Sequence, residues 1–158
     1  MNILVNKDIS YKQMEQALGL MPNAIGEAFG MDISFNPLKT VHLVTGVISG
    51  QYPANFFAVA VENDEVIGFM GGYLESYAFA DYSFAQDIIA YVVPNKRDSQ
   101  AYLELSKAFE VWAKGMGAKA IRGLLTNSDN AQKTADAAIR YGYKKVGIII
   151  TKDFGEQL

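Results

Sequence analysis

Pro94-Asn95-Lys96-Arg97-Asp98-Ser99-Gln100-Ala101-Tyr102 is the stretch best suited to hold a ligand. It joins an apolar, strand-like run to the start of an amphipathic, helix-like one. A helix entered through a short polar loop has first-turn amides without carbonyl partners, at the positive end of its dipole. Such a turn suits a pyrophosphate or another anion. Arg97 adds a full positive charge beside it, although Asp98 brings a negative one to the same place. A plain strand-to-helix turn with an exposed arginine explains the same residues. Acid–base groups are few. Asp87 lies ten residues before Arg97, in the strand-like run, with Gln86 beside it. Strand side chains alternate between faces, so either residue could be the inward one. Glu75 is a second carboxylate. Tyr141 and Tyr143 flank Gly142, and apolar packing accounts for both. Asn127 and Asn130 suit helix capping. The single histidine, His42, reads as a structural or surface residue, and Glu110 as a salt-bridge partner of Lys107 or Lys114. Tyr73, Tyr77, Phe79, Tyr82 and Phe84 read as strand and loop packing, or as the lining of a substrate site between splaying strands.

Composition narrows the chemistry. The 158 residues suit one domain, and with 50% apolar and 12% aromatic residues the chain has ample material for a core. Fourteen Lys and Arg against 17 Asp and Glu give a net charge of −3, with no basic excess to neutralise nucleic-acid phosphates. With no cysteine, disulfides, thiolate zinc sites and cysteine nucleophiles are excluded, and one histidine leaves no multi-histidine metal site. No uninterrupted apolar run nears the roughly 18 residues needed to span a bilayer. No basic-then-apolar leader opens the chain. A cytoplasmic protein with neither nucleic-acid nor membrane partners is expected. Oligomeric state is open, a homo-oligomer included.

The elements that must position these residues change character near residue 52. Before it, a weak strand at Ile3–Val5 precedes a helix capped by Ser10, which carries Met14, Ala17, Leu18 and Met21 and is stopped by Pro22. Pro22 would then open a second short helix through Ile25 and Phe29. Pro37 opens a third, with Leu38, Val41, Val44, Thr45 and Ile48 on one face. After it, Phe56–Val61 and Val66–Leu74 form a hairpin around Asn63-Asp64. Gly71-Gly72 marks a bulge or a close backbone approach. Residues 84–93 are a strand, apolar on both faces from Ile88 onward, as a central strand would be. Asp98 or Ser99 caps a helix striped by Ala101, Leu105, Ala108, Phe109, Trp112, Ala113 and Met116, which Gly115 and Gly117 end. Ala120–Leu125 is a strand. Asp129 or Asn127 caps a helix striped by Ala131, Ala135, Ala138 and Ile139, and Tyr143–Lys152 is a last strand. The order predicts an α/β (α+β) fold: a mixed sheet, antiparallel in its N-terminal half, with a parallel strand pair and flanking helices.

Several motifs carry a family resemblance. Val92-x-Pro94-x-x-Arg97, then Leu105, Phe109-Glu110-x-Trp112-Ala113 and Gly117-Ala118, resembles the acetyl-CoA-binding core of the GNAT-superfamily N-acetyltransferases, especially their phage-encoded branch. Tyr141-Gly142-Tyr143-x-x-Val146-Gly147, with Thr151-Lys152, is similar to that branch's closing motif and last strand. The hairpin that ends in Val66-Ile67-Gly68-Phe69 matches the superfamily's usual second and third strands. The resemblance spans roughly residues 55–152 of a single domain whose first 52 residues are a helical N-terminal part. It implies acetyl-CoA as a substrate and no metal. The pantetheine arm would pair with main-chain groups of Ala90, Tyr91 and Val92. The pyrophosphate would lie on Arg97, Asp98, Ser99, Gln100, Ala101 and Tyr102, with Asn127 or Asn130 bonding the arm. Asp87 would stand near where many members place the carboxylate that deprotonates the amine. Two departures matter. Asp98, Gln100 and Tyr102 replace the superfamily's loop glycines, and Ala138 stands where a general-acid tyrosine is common. The resemblance thus implies transfer of acetyl to a small-molecule or protein amine. Its alternative is a GNAT-fold protein without catalysis that serves for binding or structure, in a phage particle for example. An α/β module unrelated to coenzyme A is a third possibility.

Overall fold

The structure, a computed structural model, describes residues 1–29, 33–97, 99–123, 131–147 and 152. Strand β1 (Asn2–Val5) is followed by helices α1 (Tyr11–Phe29) and α2 (Pro37–Ile48). Then come β2 (Asn55–Glu62), β3 (Glu65–Ser76), β4 (Ser83–Val92), α3 (Ala101–Gly115), β5 (Ala120–Arg122) and α4 (Ala131–Arg140). The strands make one five-stranded sheet in the order β1-β2-β3-β4-β5. Every pairing is antiparallel except β4 with β5, which is parallel. This is the mixed sheet that the element order predicts.

Alternation along the strands builds two cores. Phe57, Val59 and Val61 of β2, with Phe69 and Tyr91, face α1 and α2. Phe56, Ala58 and Ala60, with Met70, Ala85 and Val92, face Ala101, Leu105, Phe109 and Ala113 of α3. Asn63 (φ 51°) and Asp64 (φ 64°) turn the hairpin in the left-handed conformation that Asn and Asp tolerate. At Gly72 the expected close approach is present: a Cβ there would lie 2.7 Å from the Phe109 ring and 2.8 Å from the Gln86 carbonyl oxygen.

The helices differ from expectation in three ways. Ser10 caps α1 as predicted, its hydroxyl accepting from the Gln13 amide while the Gln13 side chain accepts from the Ser10 amide. Pro22, however, lies inside α1 and does not stop it. The buried stripe Met14, Ala17, Met21, Ala24 runs past the proline, and its packing on the sheet offsets the roughly 3 kcal/mol that a helix-interior proline costs. In α2, which Asn36 caps through the Lys39 amide, only the later turns meet the sheet. Val44, Val47 and Ile48 are buried, whereas Leu38 is 82% exposed and Val41 also faces solvent. Helix α4 covers residues 131–140, but Ile139 is exposed. Of the expected last strand, residues 143–147 form no strand, and residues 148–151 lie outside the described residues, as do the α4 caps at Asn127 and Asp129.

Candidate active site

Among the described residues the sheet opens between β4 and β5, which pair there only at Phe84–Ala120, Ala85–Ile121 and Gln86–Arg122. Beyond Gln86, β4 continues to Val92 paired with β3 alone among the described residues. The register places Ile89 opposite Gly71 and Asp87 opposite Gly72, so Ile88 is an extra, bulged residue. Ile88 is accordingly exposed, although β4 lies between β3 and β5 as the expected central strand. The bulge also switches faces. Ala85 packs toward α3, and so by alternation does Asp87, while Ile89 and Tyr91 belong to the α1 side and Ala90 and Val92 to the α3 side.

From Val92 the chain makes a 3₁₀ turn, Pro94–Lys96, and enters α3. Ser99 helps cap the helix, its hydroxyl accepting from the Ala101 amide, while Gln100 occupies the cap position without a side-chain bond. Both loop cations are already matched. Lys96 pairs with Glu62. Arg97 donates to both carboxylate oxygens of Glu27 on α1, at 2.8 and 2.6 Å, and through Nε to the Val92 carbonyl at 3.0 Å, with its guanidinium 5.6 Å from the Tyr91 ring centre. Among the described residues of the loop, neither cation is left uncompensated. Asp98 lies outside the described residues, as do Asn127 and Asn130.

Asp87 borders the opening. A Cβ built on Gly123, just past β5, would lie 3.9 Å from its Oδ2. Two tyrosines that sequence reasoning did not connect with it stand in its field. Desolvation raises the Tyr102 hydroxyl, and the Asp87 charge adds to this. Tyr143 is pushed up to about 12, by desolvation first and then by Tyr102, Asp87 and Glu110. Tyr143 reaches this place because Gly142 (φ 95°) ends α4 in a turn that returns the Tyr143 amide to the Ala138 carbonyl. On the opposite face, Gln86 aligns with Tyr73 of β3 and Arg122 of β5. Desolvation raises the Tyr73 hydroxyl, which also hydrogen-bonds Glu75.

The other candidates have structural partners. His42 Nε2 lies 2.9 Å from the Tyr52 hydroxyl, away from the opening. Glu110 pairs with Lys114, and Lys107 with Glu104. Tyr77 stacks among Phe79, Tyr82 and Phe84, and Tyr141 is exposed.

Solved structures share this architecture. The aminoglycoside N-acetyltransferase AAC(6')-Iy, in complex with the bisubstrate analogue CoA-S-monomethyl-acetylneamine, matches with a TM-score of 0.73 at 12% identity, over 97% of this chain and 98% of that one. The aminoglycoside 6'-N-acetyltransferase AAC(6')-IG from Acinetobacter haemolyticus matches at 0.71 and 17%, over 100% and 99%. Glucosamine-6-phosphate N-acetyltransferase from Arabidopsis thaliana matches at 0.72 and 11%, over 98% and 99%. These sources give no support to a phage-encoded branch. No family model and no curated protein sequence matches the chain. What the structural likeness establishes is architecture: the chain has the fold of the GNAT-type N-acetyltransferases.

Proposed function

We propose that this protein transfers acetyl from acetyl-CoA to an amine. The observation that carries the reading is the edge of β4 that no strand among the described residues covers, which runs from the bulge at Ile88 into the turn and first helical residues of α3. Structural neighbours with this fold are N-acetyltransferases, and one was solved with CoA. The main chain of Ala90, Tyr91 and Val92 offers a strand edge to an extended amide-bearing arm. The other amides at the start of α3 offer donors to a pyrophosphate, those of Ser99 and Ala101 being bonded already to the Lys96 carbonyl and the Ser99 hydroxyl. No metal is required. Asp87 takes the proton as the amine nitrogen bonds the acetyl carbon. The carbon–sulfur bond then breaks and its electron pair leaves on sulfur. An alkyl thiolate is a far weaker base than an amide anion, so it can leave without a tyrosine at position 138. Tyr102 and Tyr143 stay protonated at neutral pH and serve as hydrogen-bond donors beside Asp87.

The second reading is a binding protein without catalysis. Two observations favour it: Arg97 is engaged with Glu27, and Ala138 lacks a hydroxyl. Calorimetric titration with acetyl-CoA and with CoA, followed by thiol detection of CoA released to a panel of amines, separates the two. Saturable binding with amine-dependent release that falls about a hundredfold in Asp87→Asn supports transfer. Binding without release from any amine leaves the binding protein. An absence of heat and of any melting shift at millimolar ligand refutes both.

A further inference from the structure

Arg122 ends β5 at the last β4–β5 pair among the described residues. Tyr73, Gln86 and Arg122 stand side by side across three strands, on the face that carries Phe84 and the α1-side core. Helices α1 and α2 pack farther along that face, against Phe57, Val59, Phe69 and Tyr91. The Arg122 guanidinium lies 3.7 Å over the Phe84 ring and 5.1 Å from the Tyr77 centroid, so its plane is held in place. Among the described residues it forms no ion pair and donates no hydrogen bond, in contrast to Lys96 and Arg97. Glu75, the carboxylate of the neighbouring row, aligns with Phe84 and is bonded to Tyr73. A fixed, stacked guanidinium whose N–H edges meet no acceptor among the described residues matches a carboxylate or phosphate, which it binds with two parallel bonds.

We propose that Arg122, with Gln86 beside it, binds an anionic group carried by the acceptor, so that the acceptor is an amine bearing a carboxylate or phosphate. The proposal rests on the acyltransferase reading and deepens it. An arginine at the gap would hold the anion while the amine of the same molecule reaches the bulge at Ile88.

The test uses matched amines with the full chain: O-phosphoethanolamine against ethanolamine, glucosamine 6-phosphate against glucosamine, and L-phenylalanine against L-phenylalaninamide. The expected result is that at least one anionic member exceeds its neutral partner by about tenfold to a hundredfold in kcat/KM, mainly through KM. Arg122→Met, which keeps the stacked stem, reduces that ratio toward one, and Arg122→Lys restores part of it. Phosphate and carboxylate pairs show which anion is preferred. Equal or reversed preference in the wild-type protein, a preference that survives in Arg122→Met, or no turnover of any amine by a protein that binds CoA overturns the proposal. If CoA itself does not bind, the acyltransferase reading fails separately. Calorimetric titration of the anionic amines alone into wild-type and Arg122→Met protein then decides Arg122: binding lost in the variant sustains the anion site, and equal or absent binding removes it.

Discussion

Gly72 and Phe109 give a sharp test of how α3 is held against the strand that carries Asp87. A methyl group at Gly72 would lie 2.7 Å from Phe109 Cε2, 3.1 Å from Cζ and 2.8 Å from the Gln86 carbonyl oxygen. The Phe109 ring cannot swing aside freely, because Phe56 and Trp112 pack against it at centroid distances of 5.2 and 5.8 Å. Gly72→Ala should therefore act as overpacking and destabilise by about 1–3 kcal/mol. Phe109→Ala, at a 4% exposed position, should cost about 3–5 kcal/mol. Removing the ring relieves the methyl's conflict with Phe109 but not its conflict with the carbonyl. The double variant should thus fall short of the summed losses by roughly 1 kcal/mol. Denaturant unfolding of all four proteins measures this, with Phe109→Leu as the background should Phe109→Ala not fold. The reasoning is refuted if Gly72→Ala costs the same with and without the Phe109 ring, or nothing in the wild type.

The Arg97–Glu27 pair is exposed, with side chains 45% and 49% accessible, so Glu27→Gln should change stability by less than about 1 kcal/mol. The same change releases the guanidinium toward the loop and should tighten CoA binding at low salt in a calorimetric titration; unchanged or weaker binding would place Arg97 outside the anion site. Tyr143 has its hydroxyl raised to about 12 in the folded protein. Its contribution to stability is then complete below the unfolded value of about 10 and is lost as pH climbs from there through about 12. Tyr143→Phe should flatten the stability profile in that window and remove a phenolate that titrates near 12 from the ultraviolet difference spectrum.

Much of the sheet was legible because local signals agree with tertiary packing. Asn63-Asp64 between two apolar runs dictates a hairpin, and the paired glycines at 71 and 72 mark the place where Phe109 and the neighbouring strand crowd the backbone. The stripe on α3 reads directly as its buried face. Pro22 misleads because its local cost is overridden by a stripe that continues on both sides of it. Leu38 and Val41 mislead because an apolar spacing says nothing about how far along the sheet a helix extends. At the site, the strand–turn–helix frame is readable, but side-chain partners are not. Glu27 meets Arg97 across 70 residues of chain. The neighbourhood of Asp87, Tyr102 and Tyr143 likewise depends on three elements meeting at one gap. Arg122 left a faint signal, a charged residue in a short apolar strand, but only the register shows that it aligns with Gln86 at the last paired position.

Amide hydrogen exchange with and without acetyl-CoA tests the central claim most directly, because it reads out the backbone groups assigned to the ligand. The account predicts new protection at Ile88–Val92 and at Ser99–Leu103, with β1 and β2 unchanged. Protection confined to other segments, or no change at saturating acetyl-CoA, would contradict the assignment of the parted β4 edge and the start of α3 as the acyl-CoA site.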